Sequence, residues 1–527
     1  MDERRVRVAT DGSGAPISNP ARWWAKLQTC RVGDRRSGGL IPSPLTPPAA
    51  AAHHPAMKFP APLRLLALLG AVWLTGCQTP RVAQPLTLHP ENPHYFLFHG
   101  RPTVLITSAE HYGAVLNLDF DYVTYLDTLA ADGLNLTRTF TGAYVEPAGA
   151  FNITSNTLAP GPGRFLSPWA RSTVPGYAKG GNKFDLTKWD EAYFTRLKDF
   201  VAQAARRGVI VEMSLFCPFY EESQWKLSPQ NAANNINGLG AVARTNVYTL
   251  DQHGGLLAVH EALTQKIVTE LNGFDNVYYE ICNEPYFGGV TLEWQHHIAD
   301  VIVATEHRLG RTHLIAQNIA NGSAKIFGAH TGVSIFNFHY ASPPAAVAEN
   351  YALDLPIGDN ETGFKGTNDA HYRMEAWEFI LAGGALFNHL DYSFTAGHER
   401  GDFVYPKTQP GGGNPTFRRQ MKILGDFIRS FDFVKMRPVA GIVKSGLPEK
   451  ARARVLAEPG RQYALYLHGG TKAAPVLNLP PGHYRAEWVN VFTGKIDKRE
   501  TVRHAGGDLT LASPDYDKEI ALRLVRE

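Results

Sequence analysis

Two short segments of this sequence each end in a glutamate that is placed for acid–base chemistry. Residues 277–285 read as a buried strand that delivers Asn283 and Glu284 into a turn. Residues 355–360 form a second strand-like run, and Glu361 follows it directly. A carboxylic acid fixed at a strand tip is a common general acid, and two of them in one α/β chain indicate cleavage of glycosidic bonds.

Strand-like and helix-like patterns alternate through the middle of the chain, and they would position both glutamates. Eight such units predict a (β/α)8 TIM barrel, in which the carboxyl ends of the strands carry the site. An open doubly wound sheet is the alternative, but no glycine-rich phosphate loop follows the first strand. The predicted strands are 102–107, 134–140, 208–216, 277–282, 313–317, 333–338, 355–360 and 385–390, and the predicted helices are 119–131, 190–207, 255–271, 292–309, 344–350, 369–381 and 417–431.

Two connecting segments, 141–188 and 217–252, are too long to be simple turns. Long segments of this kind in a compact domain are usually either functional or disordered. Both are rich in aromatic residues among polar ones, which favours function because flat rings stack on sugar faces. Tyr144 and Trp225 are therefore predicted substrate contacts.

Changes of pattern along the chain predict five parts. A barrel domain is predicted over 86–434, and short strands separated by turn residues predict a small C-terminal β-sandwich over 435–527. Residues 57–76 have the basic start and the short apolar core of a secretion signal. Residues 1–56 are expected to be a non-native upstream extension, and 77–85 a linker.

The secretion signal ends in Leu-Thr-Gly followed by Cys77, which resembles a bacterial lipobox. The resemblance implies that Cys77 is lipidated and that the lipid anchor is the chain's only contact with a membrane. Gln78 after the cysteine implies a place in the cell envelope at the outer membrane.

Charge and cysteine content argue against several other classes of protein. The formal net charge of +3 comes from the leader, and no basic block follows it, so no nucleic-acid partner is expected. Beyond Cys77 only Cys217 and Cys282 remain, which is too few for a disulfide framework. No residues show zinc-ligand spacing, and neither a metal nor an organic cofactor is expected.

The strand-tip motif Tyr279-Glu280-Ile281-Cys282-Asn283-Glu284-Pro285 resembles the strand-four signature of clan A glycoside hydrolases, particularly family 5. Segments 135–138, 338–340 and 356–361 are similar to the clan's strand-two, strand-six and strand-seven motifs. The resemblance covers most of 86–433. The C-terminal part is similar to a module labelled collagen-binding in family-5-like and apiosidase-like enzymes, and we do not carry that label over.

Two positions depart from the family pattern. Family 5 has a histidine on strand three, where this chain has 213–216, and a tryptophan on strand eight, which 387–391 lacks. These differences leave the subfamily and the sugar open.

The resemblance implies a role for each residue of the expected centre. Glu284 is the expected acid/base, which must carry a proton to release the leaving oxygen. Glu361 is the expected ionised nucleophile, supported by Arg138 and Tyr340. Asn283 is expected to bond the sugar 2-hydroxyl.

Other polar residues are weaker candidates for the pocket. His339 is interpreted either as a substrate contact or as a core histidine. Glu280 lies deeper along its strand and is expected to form a buried ion pair, with Arg138 as its partner. The residues that follow strands one and eight at the predicted rim are Glu110, His111, Tyr112, His389 and Asp391.

The leading interpretation is a retaining hydrolase acting on a β-linked polysaccharide or oligosaccharide. Carboxyl groups roughly 5–5.5 Å apart would retain configuration, and a gap of roughly 6.5–9.5 Å would invert it. A transglycosylase shares every residue and differs only in the attacking group. A catalytically inactive, glycan-binding surface lipoprotein is the alternative from another class, and two intact glutamates argue against it.

Overall fold

A computed structural model describes residues 84–527. The upstream extension, the secretion signal and the lipidated Cys77 lie outside the described residues, so these three expectations stay predictions. Within residues 84–527, none of the helices is both long and apolar enough to span a bilayer.

The first thirteen strands include the eight that build a parallel barrel. In chain order they are β1 (Thr87–Leu88), β2 (Phe96–Phe98), β3 (Arg101–Thr103), β4 (Leu105–Ala109), β5 (Leu136–Phe140), β6 (Trp169–Pro175), β7 (Asn182–Trp189), β8 (Ile210–Phe216), β9 (Val277–Cys282), β10 (Ile315–Asn321), β11 (Ile335–His339), β12 (Ile357–Thr362) and β13 (Leu386–Leu390). The barrel order is β4-β13-β12-β11-β10-β9-β8-β5. This nearly closed barrel confirms the predicted (β/α)8 fold.

The seam between β4 and β5 is bridged by one side chain instead of a backbone ladder. The Asn135 amide accepts a hydrogen bond from the Ile106 N–H at 2.9 Å and donates one to the Val104 carbonyl at 2.9 Å. Farther along the seam, the Phe140 N–H donates to the Tyr112 carbonyl at 3.1 Å. These bonds satisfy backbone groups that would otherwise be left unpaired at two strand edges.

Eight helices accompany the strands of the barrel region. They are α1 (Tyr122–Ala131), α2 (Glu191–Arg206), α3 (Glu222–Trp225), α4 (Leu257–Leu271), α5 (Leu292–Leu309), α6 (Ala345–Asn350), α7 (Asp369–Leu381) and α8 (Pro415–Arg429). Side-chain caps define several starts: Asp121 accepts two backbone N–H bonds at α1, and Asn414 does the same at α8, where Pro415 is the first helical residue. The long predicted helices are confirmed, with small shifts at their ends.

The sequence predicted a single long loop over 141–188. The structure has instead an antiparallel hairpin of β6 and β7 within this segment. Beyond its buried first residue, Trp169, β6 alternates between half-buried and exposed residues, so it has no apolar period. The hairpin pairs with the other long segment: the Phe184 N–H donates to the Asn234 carbonyl at 2.8 Å, and the Ile236 N–H donates to the Phe184 carbonyl at 2.9 Å. The two insertions therefore support each other.

The C-terminal region consists of two antiparallel sheets, as predicted for a β-rich domain. One sheet has the order β14-β16-β17-β22-β19-β20 and the other β15-β18-β21, and buried side chains including Tyr463, Leu465 and Trp488 form a core of their own. The strands are β14 (Arg437–Pro438), β15 (Val443–Ser445), β16 (Arg452–Glu458), β17 (Gln462–His468), β18 (Val476–Leu479), β19 (Gly482–Val489), β20 (Ile496–His504), β21 (Gly507–Thr510) and β22 (Glu519–Arg526).

A buried ion pair and an aromatic stack join this region to helix α7. Arg373 donates two hydrogen bonds to Glu519, at 3.0 and 2.6 Å, and the Tyr466 hydroxyl donates to the same carboxylate at 2.8 Å. The ring of Trp377 stacks on that of Tyr466 with centroids 5.4 Å apart. Because both charges are buried, each depends on its partner to offset the loss of water.

We expect Glu519→Gln to lower the free energy of unfolding by about 3–5 kcal/mol, because it leaves the Arg373 guanidinium buried without a counter-charge. The measurement is equilibrium denaturant unfolding. The matched control is Asp515→Asn, which removes one partner of the exposed Lys472–Asp515 pair and should change stability by about 0.5 kcal/mol or less. If both substitutions changed the free energy of unfolding equally, the buried pair would contribute no more to stability than the exposed pair, contrary to this prediction.

Candidate active site

A cavity of about 340 Å³ opens at the carboxyl ends of the barrel strands and contains both predicted glutamates. Strand β9 delivers Glu284, and Glu361 lies near the end of β12. Aromatic rings form most of the wall. The lining residues are His111, Tyr112, Phe140, Tyr144, Glu146, Phe151, Leu158, Cys217, Tyr220, Asn283, Glu284, Phe287, Asn321, Tyr340, Glu361, Phe364 and Lys365.

Glu284 and Glu361 face each other across the imidazole of His339. The His339 Nδ1 atom lies 3.2 Å from Oε1 of Glu284 and 3.4 Å from Oε1 of Glu361. One carboxylate oxygen of each glutamate and a ring nitrogen of the histidine all lie within 4.8 Å of one another. The two carboxyl groups are therefore close enough to contact the same small group of atoms.

Glu284 sits in a backbone conformation that most residues avoid. Its φ of +37° lies in the left-handed region, which costs a non-glycine residue roughly 1–3 kcal/mol. The carboxylate accepts hydrogen bonds from the Tyr220 hydroxyl at 2.7 Å and from the Tyr286 hydroxyl at 3.3 Å. The donors around Glu284 are thus two neutral phenols and the shared histidine.

Glu361 has a different and more strongly charged environment. Its Oε2 accepts from the Tyr112 hydroxyl at 2.9 Å and from the Arg138 guanidinium at 3.3 Å, and its Oε1 accepts from the Tyr340 hydroxyl at 2.7 Å. Burial alone would raise the pKa of Glu361. The positive charges of His339 and Arg138 outweigh burial and hold this pKa well below its ordinary value. Glu361 is therefore a carboxylate at neutral pH.

His339 supplies the second positive charge of the centre. Burial alone would lower the pKa of His339, but the negative charges of Glu361 and Glu284 raise it to about 10. The imidazole is thus protonated at neutral pH, and its Nδ1–H is shared between the two carboxylates. Its Nε2 has no hydrogen-bond partner within residues 84–527.

The Arg138 guanidinium is completely buried and connects the centre to the barrel interior. It donates to the Asn283 side-chain oxygen at 2.7 Å and to the Ser214 hydroxyl at 3.0 Å. It also forms a short contact with the Glu280 carboxylate. The predicted buried ion pair between Glu280 and Arg138 is therefore present.

A second carboxyl group, Glu212, lies beneath this layer. The side-chain amides of Asn337 and Asn360 donate to Oε1 of Glu212 at 2.9 and 2.8 Å, and both also reach Glu280. Burial, followed by the negative charge of Glu280, raises the pKa of Glu212 to about 8. Of these two buried acids, Glu280 is the one that carries charge at neutral pH.

Besides the two glutamates, Arg138 and His339, the sequence predicted eight residues that contact the substrate. Four of these eight line the cavity. They are Asn283, Tyr340, His111 and Tyr144. Asn283 donates to the Tyr220 hydroxyl at 2.8 Å, and the Tyr144 hydroxyl donates to Glu146 at 2.8 Å. His111 is half-buried, and its Nδ1 has no partner within residues 84–527.

Glu110 was predicted at the rim but does not line the cavity. It is fully buried and accepts hydrogen bonds from the Gly113 and Ala114 N–H groups, each at 3.0 Å, and from the Thr157 hydroxyl at 2.6 Å. Burial raises the pKa of Glu110 to about 7. The carboxyl group holds two loops together because it accepts from two backbone N–H groups of its own loop and from the Thr157 hydroxyl of another.

Trp225, His389 and Asp391 also lie outside the cavity wall. The Trp225 indole donates to the Val242 carbonyl at 3.1 Å inside its own loop. His389 lies below the site, where burial lowers its pKa to about 3. Asp391 forms a buried ion pair with Arg418 at 2.8 Å. His389 and Asp391 lie at the end of β13, where a side chain can point toward the helices as easily as into the pocket, and Trp225 is the last residue of α3.

The sequence placed Tyr112 at the rim and Tyr220 in an aromatic-rich segment, but it did not predict that either contacts a glutamate. Tyr112 lies in the loop after β4, and its hydroxyl donates to Glu361. Tyr220 lies in the loop after β8, and its hydroxyl donates to Glu284. Tyr112 adopts a positive φ of 60°, and no sequence pattern marks that turn. Phe151 and Phe364, which complete the wall, come from separate loops. Aromatic residues in the long segments were the available signal.

Cys217 and Cys282 are free thiols, and both are buried. Cys217 lies on the cavity wall, with its sulfur 3.6 Å from the Asn283 amide nitrogen. Within residues 84–527, the close group of potential metal ligands is the Glu284–His339–Glu361 set itself.

No family model matches this chain, and no curated protein matches it in sequence. Similar solved structures include a candidate glycoside hydrolase from Bacteroides vulgatus ATCC 8482 (12% identity, 84% of this chain and 83% of that one, TM-score 0.60). A glycoside hydrolase family 5 protein from the same organism (13%, 84% and 93%, 0.57) and a further glycoside hydrolase (14%, 84% and 97%, 0.57) are also similar. At these identities the likeness establishes the fold.

We expect Glu212→Gln to stabilise the protein at pH 9 and to leave its stability unchanged near pH 5. The folded state holds the Glu212 proton more tightly than the unfolded chain, since the pKa rises from 4.5 to about 8. The free energy of unfolding of the wild type therefore falls between these pH values, by about 1.4 kcal/mol for each pKa unit. Glutamine keeps the two asparagine bonds and cannot ionise.

Thermal unfolding of both proteins from pH 5 to pH 9 measures this difference. Glu293→Gln, at an exposed position on α5, is the control and should follow the wild type throughout. A loss of stability in Glu212→Gln that is the same at every pH would show that Glu212 is needed as a carboxylate.

Proposed function

We propose that the protein is a retaining glycoside hydrolase that cleaves a β-linked glycan, with Glu361 as nucleophile and Glu284 as acid/base. One observation carries the proposal: two carboxyl groups within 4.8 Å of each other have opposite environments. Glu361 is held as an anion by Arg138, His339 and two tyrosines. Glu284 has no arginine or lysine contact among the described residues, and its shortest bond is from the neutral Tyr220 hydroxyl.

In the first step, the Glu361 carboxylate attacks the anomeric carbon of the bound sugar. The bond from that carbon to the leaving oxygen breaks, and Glu284 transfers its proton to this oxygen. The products are a free alcohol, a glycosyl ester on Glu361 and an ionised Glu284. The cations at Arg138 and His339 favour Glu361 as a leaving group in the next step, because they stabilise its carboxylate.

In the second step, the Glu284 carboxylate removes a proton from a water molecule. The water oxygen attacks the anomeric carbon, and the ester bond to Glu361 breaks. Both glutamates return to their starting protonation states. Two displacements at one carbon leave the sugar with its original configuration.

The short separation of the carboxyl groups supports retention over inversion. An inverting enzyme keeps its acid and base roughly 6.5–9.5 Å apart so that a water fits between them and the sugar. Here the nearest carboxylate oxygens lie within 4.8 Å. Asn283 lines the cavity beside Glu284, where its amide is placed to bond the sugar 2-hydroxyl.

The similar solved structures support the same reaction class, since all three described above are glycoside hydrolases or a candidate one. A polysaccharide or oligosaccharide is thus the proposed substrate. A protein that only bound glycans would not need the strained backbone at Glu284 or a buried charge network around Glu361. We also propose that a lipid on Cys77 anchors the protein at the outer membrane, because the preceding segment resembles a lipoprotein signal.

We expect Glu361→Ala to abolish sugar release, because this substitution removes the carboxylate that forms the glycosyl ester. The measurement is reducing-sugar release from a panel of polysaccharides and aryl glycosides by the chain from residue 78. Glu293→Ala, an exposed glutamate on α5, should behave as the wild type does. Equal release by the wild type and Glu361→Ala would exclude Glu361 as the nucleophile.

Glu284→Gln should show a loss that depends on the leaving group. An alcohol leaving group needs the proton from Glu284, so its cleavage should slow by about 10²–10⁴-fold. A dinitrophenolate needs no proton, so formation of the glycosyl ester should stay near the wild-type rate, measured as the burst of released phenol. Equal slowing with both leaving groups would contradict an acid role for Glu284.

The anomeric configuration of the first-formed product tests the double displacement separately. Proton NMR of the sugar released in the first minutes should show the β-anomer, before mutarotation produces the mixture. An α-anomer as the first product would reject retention.

A further inference from the structure

The segment 146–158, here called the strap, supplies part of the cavity wall through Glu146, Phe151 and Leu158. Phe151 lies within it, lines the cavity and is 38% exposed. Its ring meets Tyr220 edge-on with centroids 5.4 Å apart, and Phe364 edge-on at 6.2 Å. The strap follows β5, Tyr220 follows β8 and Phe364 follows β12. Phe151 therefore joins walls that come from three separate strands of the barrel.

Hydrogen bonds fix the strap at its base. The Glu146 N–H donates to the Leu158 carbonyl at 2.9 Å, and the Asn156 amide makes a short bond to the Glu146 carboxylate. The Thr157 hydroxyl contacts Glu110 at 2.6 Å and the His111 carbonyl at 2.9 Å. The strap is thus fastened to the loop after β4.

The strap is also fastened on its far side. The Thr154 N–H donates to the Gln409 side-chain oxygen at 3.0 Å, and the Gln409 amide donates back to the Thr154 carbonyl at 3.5 Å. Gln409 is only 2% exposed and belongs to the loop after β13. Hydrogen bonds therefore attach the strap to two other loops.

The strap keeps this shape against a conformational cost. Phe151, Asn152 and Ser155 have φ values of +54°, +60° and +57°. Left-handed backbone is costly for residues other than glycine and persists where surrounding contacts hold it in place. At Phe151 this conformation places an apolar ring at the cavity mouth, partly in contact with water.

The cavity is small and is walled on the side of the strap. Its volume of about 340 Å³ is near the lower end of the roughly 300–1,000 Å³ found for small-molecule sites. An enzyme that cuts inside a polymer needs a groove open on both sides of the catalytic pair. A wall on one side stops the chain there, so only a chain end can reach the glutamates.

We propose that the strap makes this protein an exo-acting enzyme, which removes a short unit from the end of a glycan chain. This inference rests on the hydrolase function proposed above. Phe151 is the specificity-determining residue, because its ring closes the gap between the walls at Tyr220 and Phe364. Tyr286 and Phe287, next to Glu284 in the sequence, are 36% and 43% exposed, and the rest of the glycan would stack there. Exposed aromatic rings are suited to stacking against sugars.

The test compares product sizes from the polysaccharide that the wild type cleaves. In the first minutes we expect one product of fixed small size, with little loss of viscosity per bond broken. Phe151→Gly keeps the positive φ available and removes the ring, so it should add fragments of mixed length and increase the viscosity loss per bond broken at least several-fold. Leu309→Ala, an exposed apolar residue at the end of α5, is the control and should keep the wild-type pattern.

Each outcome has a separate meaning. A ladder of internal fragments from the wild type would overturn the exo assignment and leave the hydrolase function intact. An unchanged single product from a folded Phe151→Gly protein would show that Phe151 does not set the chain-end requirement. Absence of cleavage of any glycoside by the wild type would overturn the hydrolase function and, with it, the exo assignment.

Discussion

The guanidinium of Arg138, buried without contact with water, is the interaction on which the centre depends. It forms ion pairs with Glu280 and Glu361 and donates a hydrogen bond to the Asn283 side-chain oxygen. It also lies over the Tyr112 ring, 4.6 Å from its centroid. Loss of this one cation would leave the buried Glu280 carboxylate without its ion-pair partner and Glu361 with His339 alone, and an unpaired buried charge is costly. The proposed nucleophile and the barrel core therefore share one counter-ion.

A second cation, His339, distinguishes the two glutamates. Arg138 contacts only Glu361 of the pair, whereas the His339 proton is shared by both. The proposed mechanism starts with Glu361 as the carboxylate and Glu284 as the acid, so that these two groups and a protonated His339 carry no net charge. In the proposed mechanism, the charge moves from Glu361 to Glu284 when the ester forms. His339 contacts both positions and stabilises either arrangement.

The strand-based features could be predicted from the sequence, and the loop-based ones could not. Strand alternation placed Glu280 and Arg138 on the inside of the barrel, and their ion pair followed from that. Strand ends are less informative, because the backbone turns there: Glu110 and Asp391 point away from the cavity. Tyr112 and Tyr220 reach the glutamates only through loop conformations that no periodicity encodes. The hairpin of β6 and β7 was missed because its exposed residues carry no apolar pattern.

Covalent trapping tests the central claim most directly. The protein would be incubated with a 2-deoxy-2-fluoro dinitrophenyl glycoside of the sugar that it releases, digested and analysed by mass spectrometry. Fluorine at carbon 2 slows both steps, and the activated leaving group lets the first step proceed, so the glycosyl ester accumulates. We predict one added sugar on the peptide that contains Glu361. A label on any other carboxylate, or continued turnover of the normal substrate with no label, would contradict the assignment.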